Sequence, residues 1–195
     1  MKRREAIKGL GMSLGLVVAT PTVISLLQSC KSDPKIDWAP QFFSEDQGIL
    51  LKKLVGFILP ATENLPGAND VNVAQFIDKY AAMVAGKEDQ DNFVGGLTAI
   101  AAALGKAPGS ASDADYDGML AKFFKATPEQ IEGFQQNEGD KNAFEALMGL
   151  RGMAIWGYKN SRKVGMEVLA YDPIPGVFNG CVSLEETTGG RSWSL

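Results

Sequence analysis

The sequence predicts an all-α protein: a single helical domain of about six to seven helices with a long irregular C-terminal tail, preceded by a cleavable signal segment. Three observations lead there. Apolar residues recur at i, i+3, i+4 and i+7 through most of the chain. Helix-capping residues stand directly before these runs, several with Gln three positions on. No segment alternates apolar and polar residues with period two over the length of a strand. The boundaries fall at 1–29 for the signal, 30–43 for a tether and 44–195 for the helical domain.

The amino terminus comes first. Lys2-Arg3-Arg4-Glu5-Ala6-Ile7-Lys8 resembles a twin-arginine export signal, with Arg3 and Arg4 as its arginine pair. The apolar stretch Gly9–Leu27 follows, interrupted by Gly11, Gly15 and Pro21, which makes it a poor permanent membrane span. Leu27-Gln28-Ser29-Cys30 resembles a lipobox, so Cys30 is the expected lipidation site. Export by the twin-arginine route and a lipid anchor on the periplasmic side of a membrane are therefore expected; an uncleaved membrane anchor or a cytoplasmic amphipathic start is the competing reading. Residues 31–40 carry Pro34 and Pro40 among charges, as a short tether does.

In the domain, Ser44 and Gln47 form a capping box before Ile49, Leu50, Leu54, Phe57 and Ile58, and Pro60 ends the run. Residues 60–70 read as a loop. Asn72 and Gln75 make a second box-like start, with Gly86 as the expected stop. A third helix is predicted over about 89–104, ended by Gly105, and a fourth begins near Ser112 with Tyr116, Met119, Leu120 and Phe123 on one face. Thr127-Pro128-Glu129-Gln130 is a strong start for a short helix to about Asn137. Asp140 opens the longest run, which carries Phe144, Leu147, Met148, Arg151, Ile155 and Trp156. Ser161 restarts a last helix with Val164, Met166, Val168 and Leu169, and from Tyr171 the chain reads as extended and irregular.

The chemistry available is narrow. The 195 residues include no histidine, which excludes Ser-His and Cys-His nucleophilic pairs and histidine metal or haem ligation. Cys30 and Cys181 are the two cysteines, too few for a zinc tetrad or an iron–sulfur cluster. Cys181 reads as a packed structural thiol. The formal net charge is −4; without the signal segment, whose net is +3, it becomes −7, which argues against nucleic acid as a partner. Asp113-Ala114-Asp115-Tyr116-Asp117-Gly118 copies the first half of a calcium loop. The bidentate glutamate of position 12 is replaced by Phe124, so the string reads instead as a helix start, where aspartates are favoured. Glu185-Glu186 reads as a solvated pair. No GxGxxG or Walker pattern occurs. Catalytic, cofactor-binding and metal-binding residues are thus expected to be absent.

Trp156, Tyr158, Tyr171, Phe178 and Trp193 cluster near the C-terminus. Such residues can wrap across the domain's own helices or anchor a partner protein, and the sequence does not separate these uses.

Several strings, taken together, are similar to a known family. Ile58-Leu59-Pro60-Ala61-Thr62, Pro66-Gly67-Ala68 and Val73 with Phe76-Ile77-Asp78 resemble the front of the gluconate 2-dehydrogenase small subunit (subunit 3) family. Trp156-Gly157-Tyr158, Tyr171 and Pro175-Gly176-Val177-Phe178-Asn179-Gly180-Cys181 resemble its back end. The similarity covers about residues 45–193. It implies an accessory subunit of a membrane-associated dehydrogenase. The flavin (FAD) and the substrate would sit on a large flavoprotein subunit of the glucose–methanol–choline type, sometimes accompanied by a cytochrome c. The twin-arginine route serves cargo that folds before export, often around a cofactor. A small chain with that signal and no cofactor motif is expected to travel with a cofactor-bearing partner. The alternative is a stand-alone envelope lipoprotein with a ligand-binding or scaffolding role.

Overall fold

The computed structural model describes residues 36–174, 176 and 180–194. Arg3, Arg4 and Cys30 lie outside the described residues. Seven α-helices occur among those described: α1 (Glu45–Ile58), α2 (Val73–Met83), α3 (Lys87–Leu104), α4 (Asp113–Phe124), α5 (Pro128–Phe134), α6 (Glu138–Lys159) and α7 (Leu184–Thr188). A 3-10 turn spans Asn69–Val71 and a π turn Val164–Val168. The described residues contain no strand, only an isolated parallel bridge between Ala170 and Trp193.

Local rules set most helix starts. Ser44 accepts the Gln47 backbone N–H while the Gln47 side chain accepts the Ser44 N–H, and Thr127 and Gln130 repeat the arrangement. Gly105 closes α3 at φ +69, the left-handed conformation that glycine adopts without strain. Elsewhere the chain departs from expectation. Asn72 sits at φ +57 with no side-chain cap, because the preceding 3-10 turn enters α2 through a left-handed residue. The Val73 N–H is satisfied by the Ala68 carbonyl instead. Gly86 does not stop α2, which ends at Met83; it is the extended residue that opens α3. Asn137, rather than Asp140, caps α6. Ser161 is followed by a π turn, not an α-helix.

The tail is more ordered than expected. Ser183 and Glu186 form a capping box for α7, so Glu186 acts locally and its carboxyl is held below the usual range by the Ser183 hydroxyl and backbone N–H. Ala170 donates to the Ser192 carbonyl and accepts from the Ser194 N–H, which returns the chain end to the close of the π turn.

The core lies where α6 runs beside α3 and touches α1 and α2. Leu50, Leu54 and Val55 of α1, Val73 and Ile77 of α2, Ile100 of α3, Tyr116 and Phe123 of α4 and Leu147 of α6 are buried together. The face that α6 buries is small: Ala143, Leu147, Ala154 and Gly157. A Cβ on Gly96 of α3 would stand 3.0 Å from the Ala146 Cβ, so the two helices approach closely there. The larger Ile155 and Trp156, expected in the apolar stripe, are turned to solvent.

One charged side chain is enclosed by this packing. Asp78 of α2 is 1% exposed, and its carboxylate accepts the backbone N–H groups of Gln41, Phe42 and Phe43 at 2.7, 3.1 and 3.0 Å. These donors lie just before α1. A carboxylate is an apt acceptor for three converging N–H groups, and charge-assisted bonds are the strong ones. Asp78 therefore seats the segment by which the chain enters the domain.

Candidate partner-docking face

The strings that carry the family likeness are distant in sequence, yet the fold brings several of them together. Pro66-Gly67-Ala68 lies in the loop between α1 and α2, Phe76 on α2, and Trp156-Gly157-Tyr158 at the end of α6. The Tyr158 hydroxyl donates to the Pro66 carbonyl at 2.7 Å, across 92 residues. A Cβ on Gly157 would lie 2.8 Å from Phe76 Cδ1, so glycine allows the two helices to close over that ring. Gly67 is equally constrained, its Cβ position falling 2.6 Å from the Ala61 nitrogen. Asp70, whose carboxylate accepts the Gly67 N–H, is the charge that, after burial, raises the Tyr158 hydroxyl above its ordinary value.

Trp156 stands on the outer side of this junction. Its ring lies 5.0 Å from Phe76 and 5.6 Å from Tyr80, the latter edge to face. It is nevertheless 46% exposed. Such a ring is held in place yet open on one side, so a partner covering it would lose little rotamer freedom. Met83 and Val84, one turn beyond Tyr80, continue the exposed apolar surface along α2.

The surroundings are basic. Between Glu145 and Glu167 the sequence has no acidic residue and carries Arg151, Lys159, Arg162 and Lys163. Lys159 is one turn on from Trp156 on the same helix side. Lys159, Arg162 and Lys163 are exposed and, like Lys79, Lys125, Lys141 and Arg151, pair with no described carboxylate, whereas Lys52, Lys53, Lys106 and Lys122 each meet an aspartate. A shallow cavity of about 130 Å³ is lined by Lys159 and Arg162 together with Met166, Tyr171 and Ser194. Tyr171 is 43% exposed and Trp193 40%.

The aromatic residues singled out from the sequence thus part company. Trp156 and Tyr171 are exposed beside the basic turn, and Trp193 is exposed on the bridge that returns to Ala170. Tyr158 points inward to Pro66. Phe178 lies outside the described residues. The sequence does not single out Tyr80, the basic residues or the contact Phe76 makes here, because Phe76 and Tyr80 have the i, i+4 spacing of an ordinary helical core stripe.

A concavity of about 460 Å³ between α1, α4, α5 and α6 is lined by aromatic and aliphatic side chains with Asp117, Lys125 and Arg151. Its size and lining suit an apolar group. The calcium-like string is the first turn of α4: Asp113 pairs with Lys53, Asp115 pairs with Lys106 and shares a capping box with Ser112, and Tyr116 is in the core. The Lys106 ammonium and the Ser112 hydroxyl hold the Asp115 carboxyl down at about 2. Among the described residues no group of three His, Cys, Asp or Glu is placed to hold a metal ion. No described helix is long and apolar enough to cross a membrane. Cys181 is exposed, not packed.

A family model described as gluconate 2-dehydrogenase subunit 3 matches residues 45–176. No curated protein and no solved structure matches the chain.

Proposed function

The chain belongs to the gluconate 2-dehydrogenase subunit 3 family, and on that premise we propose that it is the non-catalytic accessory and anchoring subunit of a membrane-associated, flavin-dependent dehydrogenase acting on a sugar or sugar acid. The partner is a flavoprotein of the glucose–methanol–choline type that carries FAD and the substrate site, with a cytochrome c as a further electron-transfer subunit. The two chains leave the cytoplasm together by the twin-arginine route through Arg3 and Arg4. The lipid on Cys30 then holds the complex on the periplasmic side of a membrane. The family match carries this reading: it spans α1 to the start of the tail and names a dehydrogenase subunit. The residue inventory supports it, since a chain without histidine has little to offer an oxidoreductase active site of its own.

Cell fractionation of a Cys30→Ser variant in the native host tests the anchoring role. Both this chain and the flavin-dependent dehydrogenase activity are expected to move together from the membrane to the soluble periplasmic fraction. Dehydrogenase activity that stays on the membrane while this chain is released contradicts the proposal. A lipidated protein has several acyl chains to lose, so the shift should be nearly complete.

A further inference from the structure

We infer that the end of α6 and the basic turn after it form the docking face for an acidic, apolar-centred patch on the dehydrogenase subunit. This inference rests on the proposed function and specifies its interface. Trp156, braced by Phe76 and Tyr80, is the anchor at the centre. Lys159 follows it by one helical turn, the cavity lined by Lys159, Arg162 and Tyr171 lies at the turn beyond, where Lys163 is also exposed, and Met83 and Val84 are exposed one turn past Tyr80.

Charge complementarity identifies the occupant. The chain as a whole is acidic, with a formal net charge of −4, so the stretch 152–166, with Lys159, Arg162 and Lys163 and no acid, is a local reversal of sign. Lys159 near the end of α6 is favoured by the helix dipole, but Arg162 and Lys163 lie beyond the last turn. Exposed cations with no carboxylate to meet complement an acidic surface, which speeds encounter and fixes register. The side-chain types agree, since Trp, Tyr and Arg are enriched where a few residues carry most of the binding energy. An anionic lipid surface is the other macromolecular occupant that a basic, aromatic face can take. Lipid-binding clusters commonly gather about four to eight cations in one run. Here three surround a braced ring cluster and a shaped cavity, which suits a protein partner better.

The test uses the full chain and the dehydrogenase subunit that co-purifies with it. Affinity is measured for the wild type, Trp156→Ala, the double variant Arg162→Glu/Lys163→Glu, and Lys141→Glu at the opposite end of α6. The double variant is expected to weaken binding at least tenfold and to reduce its salt dependence, with its melting temperature unchanged. Trp156→Ala is expected to weaken binding by a larger factor, and Lys141→Glu to have little effect. Wild-type affinity in both face variants overturns the inference. So does a result in which the variants lose binding to phosphatidylglycerol vesicles while retaining the protein partner. If no dehydrogenase subunit co-purifies with the wild type, the proposed function itself fails, and this inference falls with it.

Discussion

Asp78→Ala is expected to lower the unfolding free energy by about 3 kcal/mol. The carboxylate accepts three backbone N–H groups, and alanine offers them nothing. Each buried donor left unpaired costs about 1–3 kcal/mol. The lower figure applies per donor because the segment is partly exposed: Gln41 can swing out to water, while Phe43 is in the core. For a domain of this size, that loss corresponds to a fall in melting temperature of about 6–12 °C. Asp78→Asn should recover only part of the stability, since its amide presents one acceptor oxygen where two now serve, and its NH₂ group faces other donors. Urea unfolding of the three proteins checks the order. Proteolysis checks the place: cleavage near residues 36–43 should accelerate in Asp78→Ala while the rest of the domain resists. Equal stability of wild type and Asp78→Ala would mean that the entry segment is not held by this carboxylate.

Tyr116→Ala is expected to cost more, about 3–5 kcal/mol, as large aromatic truncations in cores do. Tyr116 is fully buried, lies parallel to Phe57 at 5.7 Å and donates its hydroxyl to the Pro108 carbonyl at 2.9 Å. Tyr116→Phe removes only the hydrogen bond and should cost about 1 kcal/mol. The pair of variants also has a pH signature. Burial first, and the Asp113 charge second, push the Tyr116 hydroxyl from 10.0 up to about 12. The folded state therefore holds this proton at pH values where the unfolded chain has lost it. That stabilisation is complete below pH 10.0 and is lost as pH rises toward about 12. Tyr116→Phe has no such proton, so its unfolding free energy should decline less steeply across that interval than the wild type's. Parallel declines would show that Tyr116 is not the group responsible.

What was legible in the sequence was local. Ser44 with Gln47 and Thr127 with Gln130 announce helix starts because the capping contact spans only three residues. Gly105 announces a stop because the left-handed residue is part of the helix end itself. The same logic would have revealed α7, since Ser183 and Glu186 have the same spacing, but the prolines and glycines around it suggested an irregular tail. Asn72 misled because its conformation is imposed by the 3-10 turn before it, not by its own side chain. The inward face of α6 was misread for a packing reason. Close approach to α2 and α3 requires Ala143, Ala154 and Gly157, which carry little hydrophobic signal, while Ile155 and Trp156 carry much and lie outside. The docking face was legible only as a cluster of aromatics. Its bracing of Trp156 by Phe76 and Tyr80 joins positions about 80 residues apart, and its charge reversal stands out only once the helix end and the turn are known to be exposed. Asp78 gave no local sign of its role, because its three donors lie 35 to 37 residues upstream.

Mild-detergent purification of this chain from native membranes, followed by subunit stoichiometry and an absorbance spectrum, shows whether it is the accessory subunit of a flavoprotein dehydrogenase. A larger flavoprotein is expected in a one-to-one ratio with this chain, with the flavin bound to the larger subunit. A colourless preparation containing this chain alone would contradict that role.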